Sequence, residues 1–306
     1  MARERVVVVG DALIDELRDD SGVREFVGGA ALNVAVGLVR LGVPATLIAM
    51  VGDDEDGSHI RAYLADFGVE LLPSHAPYGT ARAVSTRSGG GEPVYVFNDA
   101  AKARRIHFGA NERAAIADAA MVAVSGFRFD DVAQTLEFAE AVREAGASLA
   151  IDPNPRTGML SDRAEFVGGF ESLAAGAALV KIGEDDAALL YGEPLDALRE
   201  RLIDVGVGVV LATEGAAGAT LEVGTDAVTR PISALPGRIV DTMGAGDAAF
   251  ASAIATLCHA DVGLDTWTAD EWGAALQRAM DIAAATCRFE GALLRLPSAL
   301  GDLDLD

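Results

Sequence analysis

Residues 241–258, DTMGAGDAAFASAIATLC, set two glycines around a small residue just ahead of a helical pattern in which Phe250, Ile254 and Leu257 share one face. Gly244, Ala245 and Gly246 let a ligand approach the main chain closely, and the unpaired N–H groups of a helix start face an anion. Asp247 follows at once. A carboxylate beside an anion cradle is unfavourable unless it has a task, and the natural one is accepting a proton from an attacking hydroxyl. A tight turn followed by an acidic residue in a first helical turn has the same spelling, so this segment alone leaves both readings open.

Two N-terminal segments add groups that could hold a ligand. In residues 28–42, GGAALNVAVGLVRLG, Asn33 is a polar residue one turn into an apolar helix, and its amide suits the hydroxyls of a polyol. The pair Gly28 and Gly29 permits close approach of a ligand or simply close helix packing. In residues 8–17, VVGDALIDEL, a buried strand runs into Gly10, Asp11 and Asp15. Carboxylates at the carboxyl end of a strand lie where open α/β sheets bind ligands, and they accept from sugar hydroxyls, although either could cap a turn. No GxxxxGK[ST] run occurs, which excludes a Walker phosphate loop. With Lys102 and Lys181 as its only lysines, the chain leaves the basic work to arginine and makes a lysine-centred phosphate clamp almost unavailable.

The elements that must position these groups alternate between strand and helix. Buried strands are expected at 6–10, 45–51, 121–125, 148–152, 178–182 and 207–213, with helices at 30–41 and around Ile60, Tyr63, Leu64 and Phe67. Val, Leu and Ala strands with helical crossovers imply a parallel sheet covered on both faces. Two stretches break the rhythm, about 16–27 and 79–107. The second alternates Ala83, Ser85 and Arg87, turns at Gly89 to Gly91, and continues through Val94, Tyr95, Val96 and Phe97. These stretches are expected to form a small separate sheet, inserted after the first and third strands on the ligand-binding rim, where it would act as a lid.

A chain of 306 residues, 51% hydrophobic, supplies a sizeable core, and its formal net charge of −23 argues against nucleic acid or an anionic membrane as a partner. Cys258 and Cys287 are too few and too far apart for a disulfide framework or a metal site, and read as core thiols in a reducing compartment. The start, MARERVVVVGDALID, passes from a short charged stretch directly into a strand, without the pattern of a secretory signal. The longest apolar stretch, 248–258, is too short to span a bilayer, so a cytoplasmic location is expected.

Together these segments resemble the ribokinase-like (PfkB) family of carbohydrate kinases, with its N-terminal GG…N and C-terminal DTxGAGD signatures. The resemblance covers almost the whole chain, because VGDDEDG at 51–57, DPNPR at 152–156, TEGAAG at 213–218 and CRFEGA at 287–292 also look like family segments in family order. It implies one ribokinase-like α/β kinase domain over 1–306, with a mostly parallel central sheet flanked by helices and a small inserted β-sheet lid. It further implies transfer of the γ-phosphoryl group of ATP to a sugar hydroxyl. Asp247 would be the base, and Gly244, Ala245 and Gly246 the hole receiving the phosphoryl charge. Asp15, Gly29 and Asn33 would hold the sugar, with Asp11 and Gly28 beside them, and Thr213, Gly215 and Gly218 would lie by the nucleotide. The family uses Mg2+ with ATP and often a monovalent cation such as K+, for which Asp241 would be a carbonyl donor. Homodimerisation through the lid also follows from the resemblance and from the apolar look of residues 94–97.

One departure concerns the NxxE segment the family uses around Mg2+, because KIGEDDAALL places Gly183 and Asp186 at those positions, with Glu184 or Asp185 as substitutes. GDALID and DPNPR look closer to fructokinases and 2-keto-3-deoxygluconate kinases than to adenosine kinases or 6-phosphofructokinases. A sugar phosphate would need a cationic pocket, for which Arg82, Arg87, Arg104, Arg105 and Arg128 are candidates, and Arg156 suits a sugar-acid carboxylate. A family member that has lost activity and serves as a binding or regulatory protein is one alternative. A nucleoside kinase is another, and would show an aromatic platform in the lid; Tyr95 and Phe97 are expected on opposite faces of their strand, so that only one could serve.

Overall fold

The computed structural model of this chain describes residues 4–20, 22–86, 94–260 and 266–302. The chain enters β1 (Val6–Gly10), whose four valines are sealed from solvent, as suits a strand covered on both faces. A hairpin, β2 (Leu13–Asp19) and β3 (Gly22–Gly28), leaves the main body, and α1 (Ala30–Arg40) returns to it. Next come β4 (Ala45–Met50), α2 (Glu55–Asp66) and β5 (Glu70–Ser74). A second excursion, β6 (Ala81–Thr86) and β7 (Val94–Phe97), is followed by the short α3 (Asp99–Lys102) and by α4 (Ala110–Asp118). Strand and helix then alternate through β8 (Met121–Ser125), α5 (Val132–Ala145), β9 (Leu149–Asp152), α6 (Arg163–Ala174) and β10 (Leu179–Gly183). After α7 (Glu184–Leu190) and α8 (Leu195–Asp204) comes β11 (Val209–Thr213). A hairpin of β12 (Ala219–Val223) and β13 (Asp226–Arg230) precedes α9 (Ala245–Cys258) and α10 (Ala269–Thr286).

The main sheet runs β13-β12-β11-β10-β9-β8-β1-β4-β5, parallel from β11 to β5 with the last hairpin antiparallel at one edge. Alternate side chains divide its core into two layers. Val6 and Val8 pack with α1, α9 and α10 on one face, while Val7 and Val9 join the aromatic layer of Phe127, Phe138 and Phe170 on the other. This mostly parallel sheet flanked by helices is the α/β architecture the resemblance implies, and the carboxyl ends of β1, β8, β9 and β10 form one rim.

Both insertions build a second sheet ordered β3-β2-β6-β7. The first begins earlier than the sequence suggests, at Leu13 rather than near residue 16, because Leu13 and Ile14 already pair with Gly28 and Val27. Paired residues point to a common face, so the row Phe26, Asp15, Ala83 and Phe97 lies on the same side as Leu17, Ser85 and Tyr95. Tyr95 and Phe97 therefore share a face, contrary to the expectation above, because residues two apart on a strand point the same way; their rings stack at 6.4 Å. The expected turn at Gly89 to Gly91 and the candidate Arg87 lie outside the described residues.

Candidate active site

Asp247 sits in the first turn of α9, 9% exposed, with Gly244 as the helix N-cap in the left-handed region at φ 74°. A Cβ at Gly244 would come within 2.6 Å of the Ala292 main chain, so glycine is required for both conformation and space. The loop is fixed from below by Asp241, whose carboxylate accepts from Met243 N at 3.0 Å and from Gly291 N at 3.1 Å. The result is a rigid turn that presents the early N–H groups of α9 to the rim of the sheet.

α1 points its own start at the same place. Asn33 Nδ2 donates to Asp247 Oδ2 at 2.8 Å, joining the two signature segments directly. Asp15, on the lid face that carries Phe26 and Phe97, is pressed against Gly28, where any Cβ would collide with its Oδ2. Burial pushes both carboxyls up to about 7. For Asp15 the charges of Asp11, Asp247 and Asp241 add to burial and Arg156 opposes them; for Asp247, Asp152 adds and the Asn33 hydrogen bond opposes. Asp11 is placed differently: its Oδ1 accepts from Ala31 N at 3.1 Å, so it caps α1, beside Gly126 and within the field of Arg104. Its carboxyl is also raised by burial.

Although a lysine-centred clamp is expected to be almost unavailable, one of the chain's two lysines lies at the floor of the candidate site. Asp152 ends β9 and Lys181 stands at the middle of the neighbouring β10, and Nζ lies 3.2 Å from Asp152 Oδ1. Ser125 Oγ, one strand further, donates to Asp152 Oδ2 at 3.2 Å. The ammonium lies directly under the anion cradle, 3.2 Å from where a Gly246 Cβ would stand. Burial alone would lower the Lys181 pKa, yet Asp152, Asp186 and Asp247 together raise it, so the lysine stays charged. Asp186 accepts from Gly183 N through Oδ2 at 2.7 Å, and burial leaves its carboxyl raised to about 6 despite the nearby Lys181. Arg156 stands at the mouth after the left-handed Asn154 (φ 40°), and its charge reaches Asp11, Asp15, Asp186 and Asp247. It makes no ion pair within 4 Å among the described residues.

Thr213 Oγ1 donates to Ile182 O at 3.2 Å at the end of β11, and the turn of Gly215 continues to Gly218, which is wedged against Arg230. These residues share the rim with Asp186, one strand away. No three Asp, Glu, His or Cys side chains among the described residues group as a metal cage. That donor set suits Mg2+ carried on nucleotide phosphates, which takes only one or two carboxylates. Asp186 keeps Oδ1 for such an ion, Glu184 lies at the start of α7, and a monovalent cation at Asp241 would meet its main-chain carbonyl, since the carboxylate is committed.

Of the candidate lid cations, Arg82 is taken up on the opposite face, bidentate to Asp56 at 2.7 and 2.8 Å and bonded to Glu16 and Glu25. Arg105 pairs with Asp131, and Arg128 lies 3.5 Å from Asp130. Arg104 binds the main-chain oxygens of Gly126 and Ala101. Asp152, Lys181 and Ser125 are site residues that sequence reasoning does not single out. A usable signal exists, namely opposite charges set in two apolar strands, at the end of LAID and in the middle of LVKIG.

Residues 3–299 match the model of the pfkB family of carbohydrate kinases. Fructokinase from Rhizobium leguminosarum bv. trifolii is 27% identical over 82% of this chain and 79% of its own length. Aminoimidazole riboside kinase from Salmonella typhimurium is 28% identical over 97% of this chain and 93% of its own length. The crystal structure of aminoimidazole riboside kinase from Salmonella enterica with aminoimidazole riboside and an ATP analogue aligns at a TM-score of 0.78 and 25% identity, covering 97% of this chain and 99% of that one. The chain belongs to the pfkB family of carbohydrate kinases. Its activity is the ATP-dependent phosphorylation of a sugar.

Proposed function

We propose that the acceptor is a small neutral sugar of the fructose or pentose type, that Asp247 is the base, and that Lys181 supplies the fixed positive charge beneath the anion cradle. The observation that carries this reading is the contact of Asn33 with Asp247, which brings the polyol-binding and phosphoryl-receiving segments within one hydrogen bond. Asp15, Gly28, Gly29 and Asn33 hold acceptor hydroxyls. The Asn33 amide keeps the Asp247 carboxylate oriented, and that carboxylate takes the hydroxyl proton as the phosphoryl group transfers. The N–H groups of Gly244, Ala245 and Gly246, backed by Lys181, receive the charge on the transferred group. Thr213, Gly215 and Gly218 flank the nucleotide, and Asp186 with Glu184 would hold Mg2+, which supplies neutralisation of phosphate charge when bound. A loose phosphoryl-transfer transition state asks for alignment and charge rather than a strong nucleophile, and this site supplies both.

A second reading has its own support. Tyr95, exposed beside the buried Phe97 on the lid face that bears Asp15, offers a ring to a riboside carrying a planar heterocycle, as the aminoimidazole riboside kinase relatives would suggest. ATP turnover against fructose, ribose, 2-keto-3-deoxygluconate and ribosides tests both, run beside Asp247→Asn. Turnover with a free sugar supports the first reading, turnover confined to ribosides the second, and silence with every acceptor would overturn both. The lid's outer face, with Val23 and Val96 about 60% exposed, supports a homodimer through the lid. Sedimentation of wild type and Val96→Lys checks it, with the variant expected to be monomeric.

A further inference from the structure

Arg40, in the last turn of α1, and Arg295, in the C-terminal segment beside it, differ from most of the chain's arginines. Arg5, Arg18, Arg61, Arg82 and Arg113 all reach carboxylates. Neither Arg40 nor Arg295 has an ion pair within 4 Å among the described residues, in a chain with 47 acidic residues against 24 basic ones. Each Nε is shielded from solvent with no hydrogen-bond partner. Each guanidinium lies over a ring, Arg40 over Phe67 at 5.9 Å and Arg295 over Phe289 at 4.6 Å. Leu294 packs on Gly37 and brings the two together, and Tyr63, 5.0 Å from Phe67 between ring centroids, completes the group from α2. Among the described residues, the groups acting on Arg40 are Arg295 and Tyr63, with no carboxylate, and burial together with the second arginine lowers its pKa.

Two neighbouring guanidiniums without a counter-charge repel each other, and a doubly charged oxyanion removes that repulsion while accepting from both forks. The carboxyl end of α1 opposes an anion with about half a charge, which is small against two full cations. We propose that Arg40, Arg295 and Tyr63 form a second oxyanion site that takes a phosphate group, free or carried on a small metabolite. Its segment also supports the kinase loop, since Gly291 binds Asp241 and Ala292 packs on Gly244.

The test is the thermal midpoint of the full chain in inorganic phosphate, in ribose 5-phosphate and in chloride at equal ionic strength, for wild type, Arg40→Gln and Arg295→Gln. Wild type should gain about 2–4 °C in one or both phosphates over chloride, and each variant should lose at least half of that gain while keeping its midpoint in chloride. A gain from inorganic phosphate identifies a free anion as sufficient; a gain only from the ester identifies a phosphorylated metabolite. Equal midpoints in all three salts would overturn the proposal. A gain that survives in both variants would place the anion in the kinase site alone and overturn it too. Variants that lose as much stability in chloride as in phosphate would make the arginines purely structural, and the proposal would fall in that case as well.

Discussion

Asp15 and Asp247 each stay protonated up to about pH 7, far above the ordinary value of 3.8. Between those limits the native state binds more protons than the unfolded chain, so the stability they confer is full below the ordinary value and is lost as pH rises through 7. Asp247→Asn removes one of these buried charges and should raise the thermal midpoint at pH 8 while changing it little at pH 5. The same variant should lose turnover by about 10²–10⁴, as for loss of a general base. In wild type, kcat/KM should climb about tenfold per pH unit and level off above an apparent pKa near 7 that belongs to the coupled pair. Lys181→Met leaves Asp152 buried and unpaired and should cost about 3–5 kcal/mol in urea unfolding, whereas Lys181→Met with Asp152→Asn should recover most of it. The signature residues of this site are legible because glycine and aspartate spellings around a helix start carry their own chemistry. The Lys181–Asp152 floor is not, because it exists only once β9 and β10 lie side by side, and the scarcity of lysine in the chain says nothing about where a single one stands.

Among the elements, the inner strands announce themselves through runs such as VVVVG and MVAVS, which a sheet covered on both faces requires. The edge hairpin of β12 and β13, half exposed and short, carries no such run and is not legible in the sequence. The lid is recognisable by its alternation, but its contacts are not. Phe97 packs on Gly158 and Met159, while Phe26 packs on Gly291 and Arg24 pairs with Glu290 at 3.3 Å. Both edges of the small sheet thus rest on loops of the main body, with Asp15 between them. Phe26→Ala should loosen one edge, raising KM for the acceptor about tenfold and increasing ATP hydrolysis in its absence, measured as ADP release without acceptor.

For the molecule as a whole, the net charge of −23 sets the long-range field that a nucleotide must cross. Repulsion of that kind is screened by salt, so KM for magnesium–ATP should fall as sodium chloride rises from about 10 to about 150 mM, in steady-state assays at fixed acceptor. Close in, Lys181, Arg156 and the start of α9 supply the positive groups that stand among the aspartates of the site. No described helix is long and apolar enough to cross a membrane. The first insertion joins the two sheets through residues 10–12 and through Gly28 and Gly29, the backbone that also carries Asp11 and presses on Asp15, and the second joins them through residues 75–80 and 98–109. In the proposed reading, one joint between the sheets and the grip on the acceptor are therefore the same piece of chain. A substitution at Gly28 or Gly29 would disturb acceptor binding and the seating of the small sheet together, so that the two could not be tuned apart at this segment.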